Sequence, residues 1–266
     1  MIALIAGTGA LPGLLADALV ARGDPPLFCE MAGFAPDVRA ELPRLWFRIE
    51  TLGTLLQDLK SRGVTRICMA GAVHRPLIDP AAIDPLTAPL VPRLTAAMAK
   101  GDDGTLRGVI AVLEENGFEI VGAAQICPQL LPPVGVMTRA KPSVVHVHDA
   151  LIGLAEIAAM GRSDTGQACV VAAGQVYDRE DRSGTDALLA RVRSSAPAGD
   201  LAAVLVKAPK PGQDRRVDLP VIGPDTARSA LGLAGIIIQA HGVMVIDLPQ
   251  VIEILDDQAM FLWVRP

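Results

Sequence analysis

The chain has 266 residues, 51% of them hydrophobic but only 3% aromatic, and a formal net charge of -5. That length supports one large or two ordinary domains, with a core built from Leu, Val, Ile and Ala. The acidic balance argues against a general nucleic-acid binder, and so few aromatics leave no stacking platform for single strands.

The first half alternates strands and helices. Residues 2–6 read as a short apolar strand, Gly7-Thr8-Gly9 as a turn, and residues 11–22 as a helix that stops at Gly23. Residues 26–30 read as the next strand, 52–62 as a helix and 66–70 as a strand. Residues 86–100 have helical character, which Pro89 and Pro92 either confine to the later part or kink. A helix is expected over 105–116, with Gly117 as its stop, and a strand over 118–122. Such repetition implies a parallel sheet. The proline-rich segment 127–142 breaks the pattern and reads as a linker. Beyond it a helix is expected over 149–160 and a hairpin over 168–177 turning at Ala173-Gly174. A helix over 185–194, a strand over 201–206 and a helix over 225–233 follow. Strands over 235–239 and 243–247, a helix over 249–256 and a strand over 261–264 complete the chain. The expected architecture is α/β: a Rossmann-like parallel-sheet lobe over 1–132, a mixed-sheet α/β lobe over 133–266, and a ligand cleft between them.

Cys29, Cys68, Cys127 and Cys169 form no C-x-x-C pair and no zinc spacing, which suits buried thiols in a reducing compartment. The N-terminus has no basic n-region and reaches Asp17 early, so no secretory signal is expected. Residues 231–246 are too broken by Gln239, His241 and glycines for a membrane span, and read as two buried strands with a turn at His241-Gly242.

Several loops carry chemistry-bearing residues. Gly7, Thr8 and Gly9, followed by Leu11, stand where a doubly wound sheet aims backbone N–H groups at phosphate. The third glycine of G-x-G-x-x-G is replaced by Pro12, which argues against a classical NAD site, although a nucleotide-dependent oxidoreductase stays open. Gly71 and Arg75 follow another strand end; Arg75 either meets a phosphate or is a solvated loop residue, and His74 beside it is read as structural. Asp102 and Asp103 either open a helix, with Asp103 as its N-cap, or face the cleft. His146 and His148 resemble a metal pair, but they lead into a helix, where positions i and i+2 diverge. Gly184, Thr185 and Asp186 open a helix, Thr185 either capping it or binding phosphate or metal there.

The segment 207–226 is the most informative. After an apolar strand it packs two lysines, two arginines, three aspartates, four prolines and two glycines into one run. Proline excludes a regular helix or central strand, so this is a shaped loop. Cations that grip phosphate and carboxylates that hold metal occur in it together.

The order of these residues resembles the UDP-2,3-diacylglucosamine pyrophosphatase family of the LpxI type, from lipid A biosynthesis. The resemblance runs over nearly the whole chain. It is carried by residues 5–12, 69–76, 101–107, 164–168 and 184–189, and most specifically by Lys-Ala-Pro-Lys-Pro-Gly-Gln-Asp-Arg-Arg-Val-Asp-Leu-Pro-Val-Ile-Gly-Pro-Asp-Thr at 207–226. It implies a hydrolase that splits UDP-2,3-diacylglucosamine into UMP and 2,3-diacylglucosamine 1-phosphate (lipid X), water attacking the α-phosphorus with Mg2+ (or Mn2+). On that reading Asp218, Asp214 and Asp225 serve metal or water, and Lys207, Lys210 and Arg215 meet the phosphoryl oxygens. Asp218, Asp186 and Asp225 are the expected metal ligands. Gly7, Thr8, Gly9, Leu11, Gly71, Arg75, Asp102, Asp103, Gly184, Thr185, Gln213 and Thr226 are the expected substrate contacts. The family commonly has a glutamate before Gly-Thr-Asp; Ser183 stands there in this chain, with Glu180 and Asp181 nearby. The expected protein is cytoplasmic and visits the inner face of the membrane, binds no nucleic acid, and is compatible with a homodimer. A non-catalytic nucleotide-sugar or lipid-binding protein is the alternative.

Overall fold

Five apolar residues make β1 (Ile2–Ala6), the central strand of the first unit, and the chain then turns into α1 (Leu11–Ala21), with Pro12 in its first turn. In this computed structural model residues 1–39, 41–73, 77–195 and 202–266 are described. The chain divides into two compact units, Met1–Pro128 and Gln129–Pro266.

In the first unit β2 (Leu27–Met31), β3 (Arg44–Phe47), α2 (Leu52–Ser61) and β4 (Arg66–Ala70) follow. Then come α3 (Val91–Met98), α4 (Gly101–Glu115), β5 (Glu119–Ile120) and the short α5 (Ala123–Ile126). The five strands form one parallel sheet in the order β3-β2-β1-β4-β5. Its direction of winding reverses between β1 and β4, which are in register from Ile2 opposite Arg66 to Ala6 opposite Ala70. The sequence reading missed β3. Its Arg-Leu-Trp-Phe is an edge strand whose Trp46 is exposed, so no buried apolar run marks it. Helix α4 starts four residues before the expected Thr105, at Gly101. This places Asp103 in the first turn rather than at the cap, where it ion-pairs with Arg107. The expected strand over 118–122 shortens to Glu119–Ile120.

The second unit begins with β6 (Gly135–Val136), inside the segment read as a linker; it pairs antiparallel with the last strand. Then come α6 (Val144–Arg162), β7 (Ala168–Ala172), β8 (Gln175–Arg179), α7 (Gly184–Ser195) and β9 (Val204–Lys207). Leu201, the expected start of that last strand, lies outside the described residues. β10 (Val221–Ile222), α8 (Pro224–Ser229), β11 (Gly235–Gln239), β12 (Met244–Val245), α9 (Leu248–Asp257) and β13 (Phe261–Arg265) complete the unit. Its mixed sheet has the order β6-β13-β11-β9-β7-β8, with β9, β11 and β13 parallel and β7 antiparallel to β9. The strands expected on either side of His241 do not pair with each other. β11 joins the large sheet, while β12 pairs with β10 in a separate two-stranded ladder.

Side chains alternate across the sheet with period two. Val204 and Val206 of β9 therefore pack with Ile237, Phe261 and the α6 residues Ala150 and Ile157. Leu205 faces the other way, into a core with Leu188, Leu189 and Val192 of α7, Ala227 of α8, and Val251 and Leu255 of α9. The unit is thus a three-layer α/β/α stack. Lys207 shares the strand face of Leu205, so its side chain emerges under α7.

Candidate active site

At the C-terminal ends of β1 and β4 the two turns are zipped together. Gly7 N donates to Ala70 O at 2.8 Å, Thr8 N to Ala72 O at 2.9 Å, and Ala72 N to Thr8 O at 3.0 Å. The Thr8 hydroxyl also donates to Ala72 O, at 3.1 Å. A side chain on Gly7 would bring Cβ within 2.5 Å of Ala72 O, and Gly71 has φ +91. Close approach of two backbones accounts for both glycines, and the N–H groups of Gly7 and Thr8 already have partners. Leu11 is buried in the core. His74 and Arg75 lie outside the described residues. Asp102 and Asp103 sit in the first turn of α4, in the same unit.

In the second unit three separate stretches converge on Lys207. Its Nζ donates to Thr185 Oγ1 at 2.7 Å, and that hydroxyl donates to Glu180 Oε1 at 2.6 Å. Glu180 Oε2 accepts from Gln167 N at 2.6 Å. Lys207 is only 5% exposed and Glu180 8%. Burial lowers the pKa of the Lys207 ammonium, and the negative charges of Glu180 and Asp186 pull it back up. Thr185 therefore does not cap α7; its hydroxyl is spent on the bridge. Asp186, exposed in the first turn, makes no hydrogen bond to the described residues.

The proline-rich loop closes over this cluster. Pro209 packs where Gly242 leaves room, since a Cβ there would lie 2.8 Å from its ring, and Pro211 does the same against Gly161, at 2.6 Å. Thus anchored, Lys210 Nζ reaches Asp164 Oδ1 at 2.6 Å. The Gln213 side chain accepts from Lys210 N at 2.9 Å through Oε1. Its amide nitrogen donates to Asp218 Oδ2 and, at 3.4 Å, to Gln167 Oε1. Lys207, Lys210, Gln213, Asp218 and Thr185 are brought together.

Other expected site residues hold partners of their own or face solvent. Asp214 holds its own turn: both its oxygens accept from the Arg216 guanidinium, at 3.0 and 2.7 Å. Arg215 is exposed, with no hydrogen-bond or ion-pair partner among the described residues. Asp225 is 95% exposed in the first turn of α8, paired with Arg228 at 2.7 Å, and Thr226 follows it in the same helix. Gly184, with φ +84, makes the turn into α7.

Sequence reasoning gave no role to Asp164 or Gln167 and offered Glu180, or Asp181, only as a substitute for the family's glutamate that Ser183 replaces. Glu180 follows a half-exposed edge strand, and nothing in its neighbours signals that it folds back to meet the start of β7.

Among the described residues no three His, Cys, Asp or Glu side chains gather closely enough to cage a metal ion. His146 instead caps α6, its Nδ1 accepting from Ser143 N at 3.1 Å and its ring packing on Phe261. Magnesium commonly makes do with one or two carboxylates, completing its shell with substrate phosphate and water. The residues present fit that partial shell. Among the described residues Asp186 and Asp218 make no ion pair, and Asp225 makes an exposed one with Arg228.

Two family models match the chain, the LpxI N-terminal domain over residues 1–130 and the LpxI C-terminal domain over residues 133–263. The UDP-2,3-diacylglucosamine pyrophosphatase LpxI of Caulobacter vibrioides is 36% identical to this chain, covering 97% of the chain and 95% of that protein. With both domain models matched in order and a likeness running nearly end to end, this chain belongs to the LpxI family.

Proposed function

We propose that the chain hydrolyses the pyrophosphate of UDP-2,3-diacylglucosamine, releasing UMP and 2,3-diacylglucosamine 1-phosphate. The likeness to the Caulobacter pyrophosphatase over 97% of the chain carries this reading. The cluster around Lys207 supports it. A buried ammonium beside carboxylates, roofed by a stiff cationic loop, suits a reaction in which negative charge shifts between phosphoryl oxygens.

In the proposed reaction the water oxygen bonds to phosphorus, the bridging P–O bond breaks, and one water proton leaves. Lys207 has two N–H donors left after its bond to Thr185, and these meet a phosphoryl oxygen. Lys210, steered by Asp164, and the exposed Arg215 neutralise the remaining charge. Asp225 or Asp218 positions the water and accepts its proton. Asp225's exposed pair with Arg228 is worth little and is readily given up. Asp186 and Asp218 would hold magnesium or manganese, the substrate phosphates and water completing the shell. When bound, such an ion screens the phosphates and favours ionisation of water.

The test is UMP release from the diacyl substrate with magnesium, run in oxygen-18 water. The expected label is on UMP, marking attack at the α-phosphorus. Asp218→Ala and Asp225→Ala are expected to abolish turnover with the fold intact, whereas Asp214→Ala loses stability as well. No UMP from the wild-type protein would overturn the reading in favour of a binding protein. A label on lipid X would move the attack to the other phosphorus.

A further inference from the structure

We propose that Glu180 and Thr185 are positioning residues for Lys207, forming a one-way hydrogen-bond chain that aims its ammonium at the reacting phosphate. This inference rests on the pyrophosphatase reading for the identity of the phosphate. The chain itself stands on geometry.

The direction of the chain is forced. A carboxylate only accepts, an ammonium only donates, and a threonine hydroxyl has a single proton. Thr185 gives that proton to Glu180 Oε1 at 2.6 Å, so its oxygen is free to accept from Lys207 Nζ, at 2.7 Å. Glu180 is itself fixed, because Oε2 accepts from Gln167 N at 2.6 Å while its own N donates to Ala168 O at 2.9 Å. Ala168 is the register partner of Lys207 across the β7–β9 pair. The chain therefore begins and ends on the same rung of the sheet. Each link is short and involves a charged group, the class of hydrogen bond with the best-defined geometry. A lysine has a long flexible stem; tying one of its three donors removes most of that freedom and leaves two donors pointing away from Thr185. Thr185, expected from the sequence to touch substrate, has its only proton and an acceptor site occupied within the protein.

The variants are Thr185→Val, Thr185→Ser and Glu180→Gln, each checked by circular dichroism to be fully folded at the assay temperature, since Glu180→Gln strands the Lys207 charge and lowers the thermal midpoint. Two readouts are taken: kcat and KM for UMP release, and the Lys207 side-chain signal in protein labelled with carbon-13 at the lysine ε-carbon, assigned with Lys207→Arg. Thr185→Val is expected to lower kcat about 10- to 100-fold at near-constant KM and to move the Lys207 signal; Thr185→Ser restores both. Glu180→Gln, which keeps the shape but supplies a weaker acceptor, lowers kcat by less. If Thr185→Val fails to fold, Glu180→Gln and Thr185→Ser decide. An unchanged kcat with an unmoved Lys207 signal would overturn the proposal. So would a change confined to KM, which would make Thr185 a substrate contact. If the wild-type protein releases no UMP, the pyrophosphatase reading fails, and the Lys207 signal alone then supports or removes the chain.

Discussion

Lys207 and Glu180 carry opposite charges, both almost out of reach of water, joined through one hydroxyl. A buried ion pair contributes little net stability, but removing one partner strands the other, at a cost of roughly 3–5 kcal/mol. Lys207→Met leaves the Glu180 carboxylate without its cation and is expected to destabilise the protein by about 3 kcal/mol, the low end because the pair is bridged rather than direct. Lys207→Met combined with Glu180→Gln removes both charges and keeps both volumes, and is expected to recover most of that loss while staying inactive. Urea denaturation of the two variants checks this. A double variant no more stable than the single one would show that the charges do not depend on each other.

At the scale of elements, the β7–β8 hairpin shows how one buried side chain fixes a turn. Both central residues have positive φ, Ala173 at 49° and Gly174 at 80°, the geometry that suits the twist of a two-residue hairpin. Alanine adopts it at a cost, and Asp149, fully buried on α6, offsets that cost by accepting from Gly174 N through Oδ1 at 2.7 Å. Its Oδ2 has no hydrogen-bond partner among the described residues. Asp149→Ala leaves the Gly174 N–H unmet and is expected to cost about 1–3 kcal/mol, with faster amide exchange at Gly174. Asp149→Asn, which keeps an acceptor, is expected to cost less. The hairpin was legible because Ala-Gly interrupts two β-rich runs; the clamp was not, because it comes from 25 residues away. The early start of α6 was hidden for a related reason. The helix was expected only from Asp149, and the β-branched Val144, Val145 and Val147 give a weak helix signal, yet the helix includes them, capped by the His146 ring. At the site, the 207–226 loop announced itself by its prolines and charges. Which aspartate joins the cluster did not follow from composition, because it depends on the side chain each meets, Arg216 for Asp214 and Gln213 for Asp218.

At the scale of the molecule, each unit has its own sheet, and the second has a core on both faces of it. Helix α6 is the one described helix long and apolar enough to cross a membrane by length and composition. Its inner face explains much of that apolarity: Ala150 and Ile157 pack on β7 and β9. The outer face of its first turns is different. Val144 is 86% exposed, and Val145, Val147 and Leu151 are also exposed. The acid among these turns, Asp149, is buried, while Lys141 and Arg139 stand just before the helix, exposed, Arg139 in an ion pair with Asp256. Apolar residues flanked by cations match an anionic lipid surface better than a neutral one. A diacylated substrate, on the function proposed above, must be drawn from a bilayer. We therefore expect the protein to sediment with vesicles containing phosphatidylglycerol and to stay in solution with pure phosphatidylcholine. Val144→Glu with Leu151→Glu is expected to reduce sedimentation at least fivefold without lowering the thermal midpoint, since neither side chain belongs to the core. Lys141→Glu should weaken binding less and abolish its salt dependence in part, because one charge near a membrane is worth about 1 kcal/mol. Equal sedimentation of wild type and the double variant would move membrane contact elsewhere on the chain, and α6 would then be a core helix with an idle outer face.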